Sequence, residues 1–286
     1  MSLKTPLADP ARSATAKTTP APPLQPVRRR SLVKRIGAER FAAVLAPLGL
    51  LVLWEIATRA GLLNVQFFPA PTTIAQEFGR LIGSGQLLDT TMISMGRLSI
   101  GFIIGAVPAV VIGIIMGLSR WVRTIAEPLI AATYPIPKTA IFPLLLIIFG
   151  LGESSKIAVV AIGVFFPVVV NTAAGVMGIN QIHHDVGKNF KASRLQVFRT
   201  IAVPAATPLI IAGMKLGVGM ALMLIVVAEM LGGTSGLGFM IWNSWSTFRV
   251  ETMYVALILI SVLGVAMTLL LTEVERLLTP WNRKNS

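Results

Sequence analysis

Six apolar runs, each nearly free of charge, fix what this chain can become. They lie at about 41–58, 98–119, 126–149, 157–178, 205–230 and 252–272 of 286 residues. A bilayer core of about 30 Å is crossed by about 20 helical residues, and each run is long enough. Inside lipid every backbone N–H and C=O needs a partner within its own segment, so helices are the economical solution. The expectation is an all-α polytopic membrane protein, with about six transmembrane helices in one domain over 41–282. Composition agrees: the chain is 54% hydrophobic and 13% charged, with a mean hydropathy of +0.77, outside the soluble globular range. Cysteine is absent, which excludes disulfides and thiolate metal sites.

The net charge of +13 invites a nucleic-acid reading, and its distribution argues against one. Arg28, Arg29, Arg30, Lys34, Arg35 and Arg40 form a basic juxtamembrane segment, 28–40, before the first run. Arg120 and Arg123 follow the second run, Lys188, Lys191, Arg194 and Arg199 the fourth, and Arg276, Arg283 and Lys284 the last. Lysine and arginine mark the cytoplasmic side, so both termini and the loop after run four are expected there. Much of the positive charge then serves orientation and meets anionic headgroups. Residues 1–27, rich in Pro, Ala, Ser and Thr, read as a disordered cytoplasmic tail. The long polar tract before the first run speaks against a secretory signal.

On the other side two loops are long. F-F-P-A-P (67–71) breaks any helix and leads into a short amphipathic helix, T-I-A-Q-E-F-G-R-L-I. G-G-T-S-G-L-G-F-M-I-W-N-S-W (232–245) suits a bent or interfacial segment.

Charges inside the runs are functional candidates, because an intramembrane charge is costly unless paired or hydrated. Lys138 lies between Pro137 and Thr139; it either lines a solute pathway or sits in a structural pair at a proline-broken bend. Lys215 either faces the same cavity or snorkels to the interface. Glu229 counters Lys138 or Arg97 as pathway residue or helix-end salt bridge, and Arg97 itself reads as an interface anchor. Asn171 and Thr172 either contact solute or bond across helices. Lys138, Lys215, Glu229 and Asn171 are the candidate pathway residues. Gly101, Gly105, Gly113 and Gly117 recur at four-residue steps in the second run, which lets another helix approach closely. His183 and His184 are adjacent and share no helix face, so no metal site is expected.

The polar, basic segment D-V-G-K-N-F-K-A-S-R-L-Q-V-F-R-T-I-A-V-P (185–204) resembles the coupling loop of ABC-importer permeases. That pattern runs Glu-Ala-Ala, three residues, Gly, nine residues, then Ile-x-Leu-Pro. Asp185, Val186 and Gly187 take the first places, Lys191 stands where the pattern has Gly, and Ile201, Val203 and Pro204 close it. F-P-A-P-T-T-I (68–74), Y-P-I-P-K-T-A-I-F-P-L-L-L-I-I-F-G-L-G-E (134–153) and A-E-M-L-G-G-T-S-G-L-G (228–238) are similar to segments of permeases of the sulfonate, taurine and nitrate class. The likeness covers about residues 40–282.

It implies a type I ABC-importer permease in the bacterial inner membrane. Such a protein works as a homodimer with two ATP-binding cassette ATPase subunits and a periplasmic solute-binding protein. ATP and Mg would be bound by the partner ATPase, with no cofactor in this chain. The loop at about 183–204 would dock that ATPase through Asp185, Gly187, Phe190, Lys191, Ala192, Ser193, Val197, Phe198, Ile201 and Pro204. A helix through 185–200 would place Phe190 and Val197 on one face, seven residues apart.

No Walker A pattern occurs, so the chain cannot itself cradle ATP phosphates. Nor is there an H-E-x-x-H or G-x-S-x-G site, so no enzyme is expected. The expected function is the pathway subunit of an ATP-driven importer for a small anionic or zwitterionic solute. The alternative is a stand-alone secondary transporter or channel, against which stand the lack of an inverted repeat and an otherwise unexplained coupling-like loop.

Overall fold

Proline and glycine decide where the helices start, bend and stop. The computed structural model describes residues 45–179, 193, 196 and 198–280, which are helices joined by turns and short irregular links. The chain divides into two compact units, residues 1–52 and 53–286. In the first, residues 45–52 are helical and expose Leu45, Leu48, Leu50, Leu51 and Val52. The expected tail, 1–27, and basic segment, 28–40, lie outside the described residues.

The second unit opens with helical residues 53–59 (α1). Then come α2 (Pro71–Gly83), α3 (Gln86–Leu118), α4 (Arg120–Thr133), α5 (Lys138–Phe149) and α6 (Glu153–Met177). A π-turn (Phe198–Ala202) leads into α7 (Val203–Gly232), followed by α8 (Leu237–Ser246) and α9 (Val250–Leu278). Pro71 starts α2 because a first-turn residue needs no N–H and proline's φ is already helical. This is the short amphipathic helix expected there; it buries Ile74 and Leu81 against Leu87, Met240, Ile241 and Val255.

Four helical segments are long and apolar enough to cross a membrane: α3, α6, Phe198–Gly232 and α9. The pair α4 and α5, bent by 95°, makes a fifth if taken as one span. Taken so, the expected third span is a broken helix, with Pro135 and Pro137 in the break, since proline disfavours helix in the residue before it. The first expected run is helical at every described residue.

The core is the triple contact of α3, α6 and α7, in which Leu98, Ala109, Val160, Val164, Val168, Ala221 and Leu224 are buried together. Without a hydrophobic drive between helices in lipid, close packing through small residues supplies the cohesion. A methyl on Gly101 would stand 2.8 Å from Val160 Cβ, and one on Gly113 2.6 Å from Thr172 Cβ. On Gly105 it would overlap the Ala161 carbonyl oxygen. Gly213 lies as close to Asn171 on the α6–α7 seam. By contrast α9 exposes Leu257, Ile258, Val262, Val265, Leu269 and Leu270, an apolar surface that suits acyl chains.

Candidate functional site

Among the described residues, the N-terminal third of α3, the start of α6 and the end of α7 bring together a dense cluster of polar side chains. Leu118 closes α3, and Arg97 lies 21 residues before it, about 32 Å at 1.5 Å per residue. That is about one hydrocarbon thickness, a separation that suits a polar cluster at a membrane boundary. Arg97, only 5% exposed, engages all five guanidinium protons. Its Nε and Nη2 grip the two Glu153 oxygens at 2.5 and 2.7 Å. Nη2 also donates to Ser235 Oγ at 2.9 Å. Nη1 donates to Glu229 Oε1 and to the Ser235 carbonyl, both at 2.8 Å.

Glu229 is fully buried. Its carboxylate accepts from Ser94 Oγ at 2.9 Å and from the Gly238 N–H at 2.9 Å, besides Arg97. Ser94 in turn accepts the Leu237 N–H at 2.7 Å. A buried carboxylate needs this many donors to offset its lost hydration. The glycines of the 232–238 turn make room for it: a side chain on Gly236, at φ +103°, would overlap the Glu229 carboxylate. Of the two partners weighed for Glu229, Arg97 is the one it meets. Ser94, Glu153 and Ser235 were not singled out from sequence. Ser94 and Arg97 do stand three apart on one helix face, a local signal. Lys156 of α6 is 3% exposed. Its Nζ donates to the Leu151 and Gly152 carbonyls at 3.3 and 3.2 Å and stands 3.8 Å from Glu153.

The other candidates lie apart. Lys138 is buried at the α4–α5 break. Its ammonium donates to the carbonyls of Thr133, Tyr134 and Ile136 at 2.8, 3.1 and 2.9 Å, and it lies 4.0 Å from the Phe166 ring centroid. Three carbonyls freed by the bend and an aromatic face replace its water, and the charge complements the α4 C-terminus. Lys215 pairs with Glu275 of α9 at 2.7 Å, both half-buried. Asn171 donates to the Pro167 carbonyl of its own helix at 2.8 Å, and the buried Thr172 hydroxyl has no partner among the described residues.

Two open grooves flank this core. One, about 470 Å³, runs along α3 and α6 beside Arg97, Glu153 and Ser235. The other, about 460 Å³, lies between α7 and α9 beside Lys215 and Thr268. A smaller, polar pocket of about 210 Å³ lies between α2, α8 and the 234–236 turn, with Arg80, Gln86, Asn243 and Arg249 in its wall. Among the described residues no cluster of His, Asp and Glu has metal-binding geometry.

Of the coupling candidates, Asp185, Gly187, Phe190, Lys191, Ala192 and Val197 lie outside the described residues. Phe198 and Ile201 are half-buried in the π-turn, and Pro204 stands in the first turn of α7. Proline's missing N–H interrupts the α ladder, and a π-turn just before it absorbs the gap. Ser193 and Gln196 form a capping box: the Ser193 N–H donates to Gln196 Oε1 at 2.7 Å, and the Gln196 N–H to Ser193 Oγ at 3.2 Å. Such a box marks a helix start. The rest of the helix expected over 185–200, with Phe190 and Val197 on it, lies outside the described residues.

Residues 109–281 match the family described as binding-protein-dependent transport system inner membrane component. A putative aliphatic sulfonates transport permease protein of Bacillus subtilis is 30% identical over 270 residues, 94% of this chain and 97% of its own. The taurine transport system permease protein of Escherichia coli is 31% identical over 238 residues, 82% of this chain and 86% of its own. A nitrate import permease protein of Synechocystis is 30% identical over 244 residues, 82% and 88% of the two chains.

Proposed function

From the premise that this chain belongs to the inner membrane components of binding-protein-dependent transport systems, we propose that it forms the pathway of an ATP-driven importer for a small oxyanion. It is a multi-pass ABC transporter permease, and the rest of the reading concerns its solute and partners. The observation that carries the solute class is the agreement among relatives: those compared above are named for aliphatic sulfonates, taurine and nitrate. All three solutes carry a small, delocalised oxyanion group. The chain has no Walker A pattern, so ATP and Mg belong on a separate ATPase docked at 183–204. A solute-binding protein delivers the anion on the opposite face, and a second permease copy covers part of the exposed apolar surface. Both termini face the cytoplasm, as the Lys and Arg distribution favours.

The test is uptake into proteoliposomes holding this chain, its ATPase and its binding protein. Ethanesulfonate or nitrate should accumulate only with ATP and with all three proteins present. Uptake by this chain alone, driven by a proton gradient, would make it a secondary transporter and overturn the reading.

A further inference from the structure

We propose that Arg97 is an anion-binding residue of the groove along α3 and α6, and that Glu153 is its built-in, exchangeable counter-anion. The proposal rests on the small-oxyanion reading above and names a residue that receives the solute.

Arg97 is held by two carboxylates that differ in every respect that matters. Glu229 is fully buried, bonded to Ser94 and the Gly238 N–H, and enclosed by a glycine turn with no room for a side chain. It cannot leave without stranding a charge in the interior, which is strongly unfavourable. Glu153 has a side chain 59% exposed. Among the described residues its hydrogen bonds go to Arg97 alone. Glu153 regains its hydration when it leaves, whereas the buried Arg97 fork does not, so the exchange favours an incoming anion over water alone.

The bond it would give up is the one an oxyanion needs. Glu153 occupies the Nε/Nη2 edge of the guanidinium, the fork that matches two oxygens of a planar or tetrahedral anion. That edge opens on the groove of about 470 Å³ whose wall includes Met92, Gly96, Ile100, Ile157 and Ser235. Ser235 Oγ already sits on Nη2, within reach of a third anion oxygen.

Charge selects the ligand. With Glu153 in place, Arg97 and Lys156 are balanced by Glu153 and Glu229. With Glu153 swung out to water, the site carries one net positive charge beside apolar walls, which strengthen its pull on an anion. A monoanion such as a sulfonate or nitrate restores neutrality, and a cation does not. Arg97 stays aimed because Glu229 and the Ser235 carbonyl hold its other edge.

The experiment uses the full chain in nanodiscs. Thermal unfolding is followed against methanesulfonate, nitrate and choline at constant ionic strength, with gluconate as the balancing anion. Both small anions should raise the unfolding temperature of the wild type, and choline should not. In Glu153→Gln the internal competitor is gone, so the half-maximal methanesulfonate concentration should fall by about tenfold. Glu153→Asp keeps a carboxylate and should behave as wild type. Arg97→Lys, which loses the fork, should not respond to either anion. No response in any variant, an unchanged half-point in Glu153→Gln, or equal behaviour of Gln and Asp would each overturn the proposal. Should Arg97→Lys fail to fold, the Gln and Asp pair decides alone. A wrong solute class would show differently: no ethanesulfonate or nitrate uptake by the assembled importer, with the anion response of Glu153→Gln intact.

Discussion

Glu229 and Lys138 occupy similar settings in the sequence, single charges in apolar runs, yet they solve burial in different ways. Glu229 meets an opposite charge 132 residues away, Arg97, whereas Lys138 meets three carbonyls between two and five residues away. Removing one partner of a buried pair costs about 3–5 kcal/mol, since the other charge is left uncompensated. Glu229→Ala should therefore lower the unfolding temperature sharply, and Gly236→Ala should do the same by forcing the carboxylate aside from a backbone at φ +103°. A thermal unfolding series in detergent checks both, and a wild-type transition for either would remove the carboxylate from its structural place. The pairing of Glu229 with Arg97 was one of two options legible in the sequence, because the start of the second run and the end of the fifth are expected on the same side of the membrane. Glu153 was not legible. It looks like an ordinary acid at a helix start, and only the convergence of α3 and α6 brings it to Arg97.

At the scale of elements, the glycine steps of α3 were legible as a packing seam, and their partner was not. The partner is α6, whose Val160, Ala161 and Thr172 approach the glycine side of α3. Gly105→Val should abolish the folded state or cut its yield severely, because the methyls would overlap the Ala161 carbonyl oxygen. Gly96→Ala meets nothing within 4 Å and should fold as wild type; size-exclusion profiles of the two proteins decide it. Helix ends were less legible: α3 begins at Gln86 rather than near 98, because the polar turns carrying Ser94 and Arg97 are stabilised by the cluster they build. In α2, the Arg80 guanidinium hydrogen-bonded to Glu77 holds the Glu77 carboxyl below the ordinary glutamate value. Thr252 of α9 also donates to Glu77, at 2.6 Å. A depressed folded value means that the α2–α9 tie is fully present above the unfolded value of about 4.3 and fades as pH falls through the lower folded value. Arg80 is half exposed, so the effect should stay below about 1 kcal/mol. Protection of the amides across 71–83, relative to their intrinsic exchange rate at each pH, should fall below about pH 4 in the wild type. In Glu77→Gln protection should be already lowered, and flat with pH.

For the whole molecule, orientation and coupling have to agree, since an ATPase reaches only the cytoplasmic face. Cysteines placed one at a time at Ser193 and Ser246, both exposed, report the first point in a chain with none of its own. An impermeant reagent outside the cell should label residue 246 and spare residue 193, and the reverse would invert the topology. The second point turns on the capping box. Ser193 and Gln196 satisfy each other's N–H groups, a reciprocal pair that marks a helix start just before Phe198 and the π-turn that leads into α7. If 183–204 docks the ATPase, that start is what presents Phe198 and Ile201 in a constant direction to a groove on the partner. Losing an N-cap side chain costs about 1 kcal/mol, and the frayed turn must then be reordered on docking. A penalty of that size weakens binding by about fivefold. Ser193→Ala should therefore retain the protein in the membrane at normal levels while the ATPase co-purifies several-fold less. Ser193→Asp, which still caps, should restore it. Phe198→Ala should fail for a different reason, loss of an apolar anchor, and Ser193→Asp should not rescue it. Equal ATPase recovery with wild type, Ser193→Ala and Phe198→Ala at matched membrane levels would mean that the ATPase holds the permease elsewhere than at this segment.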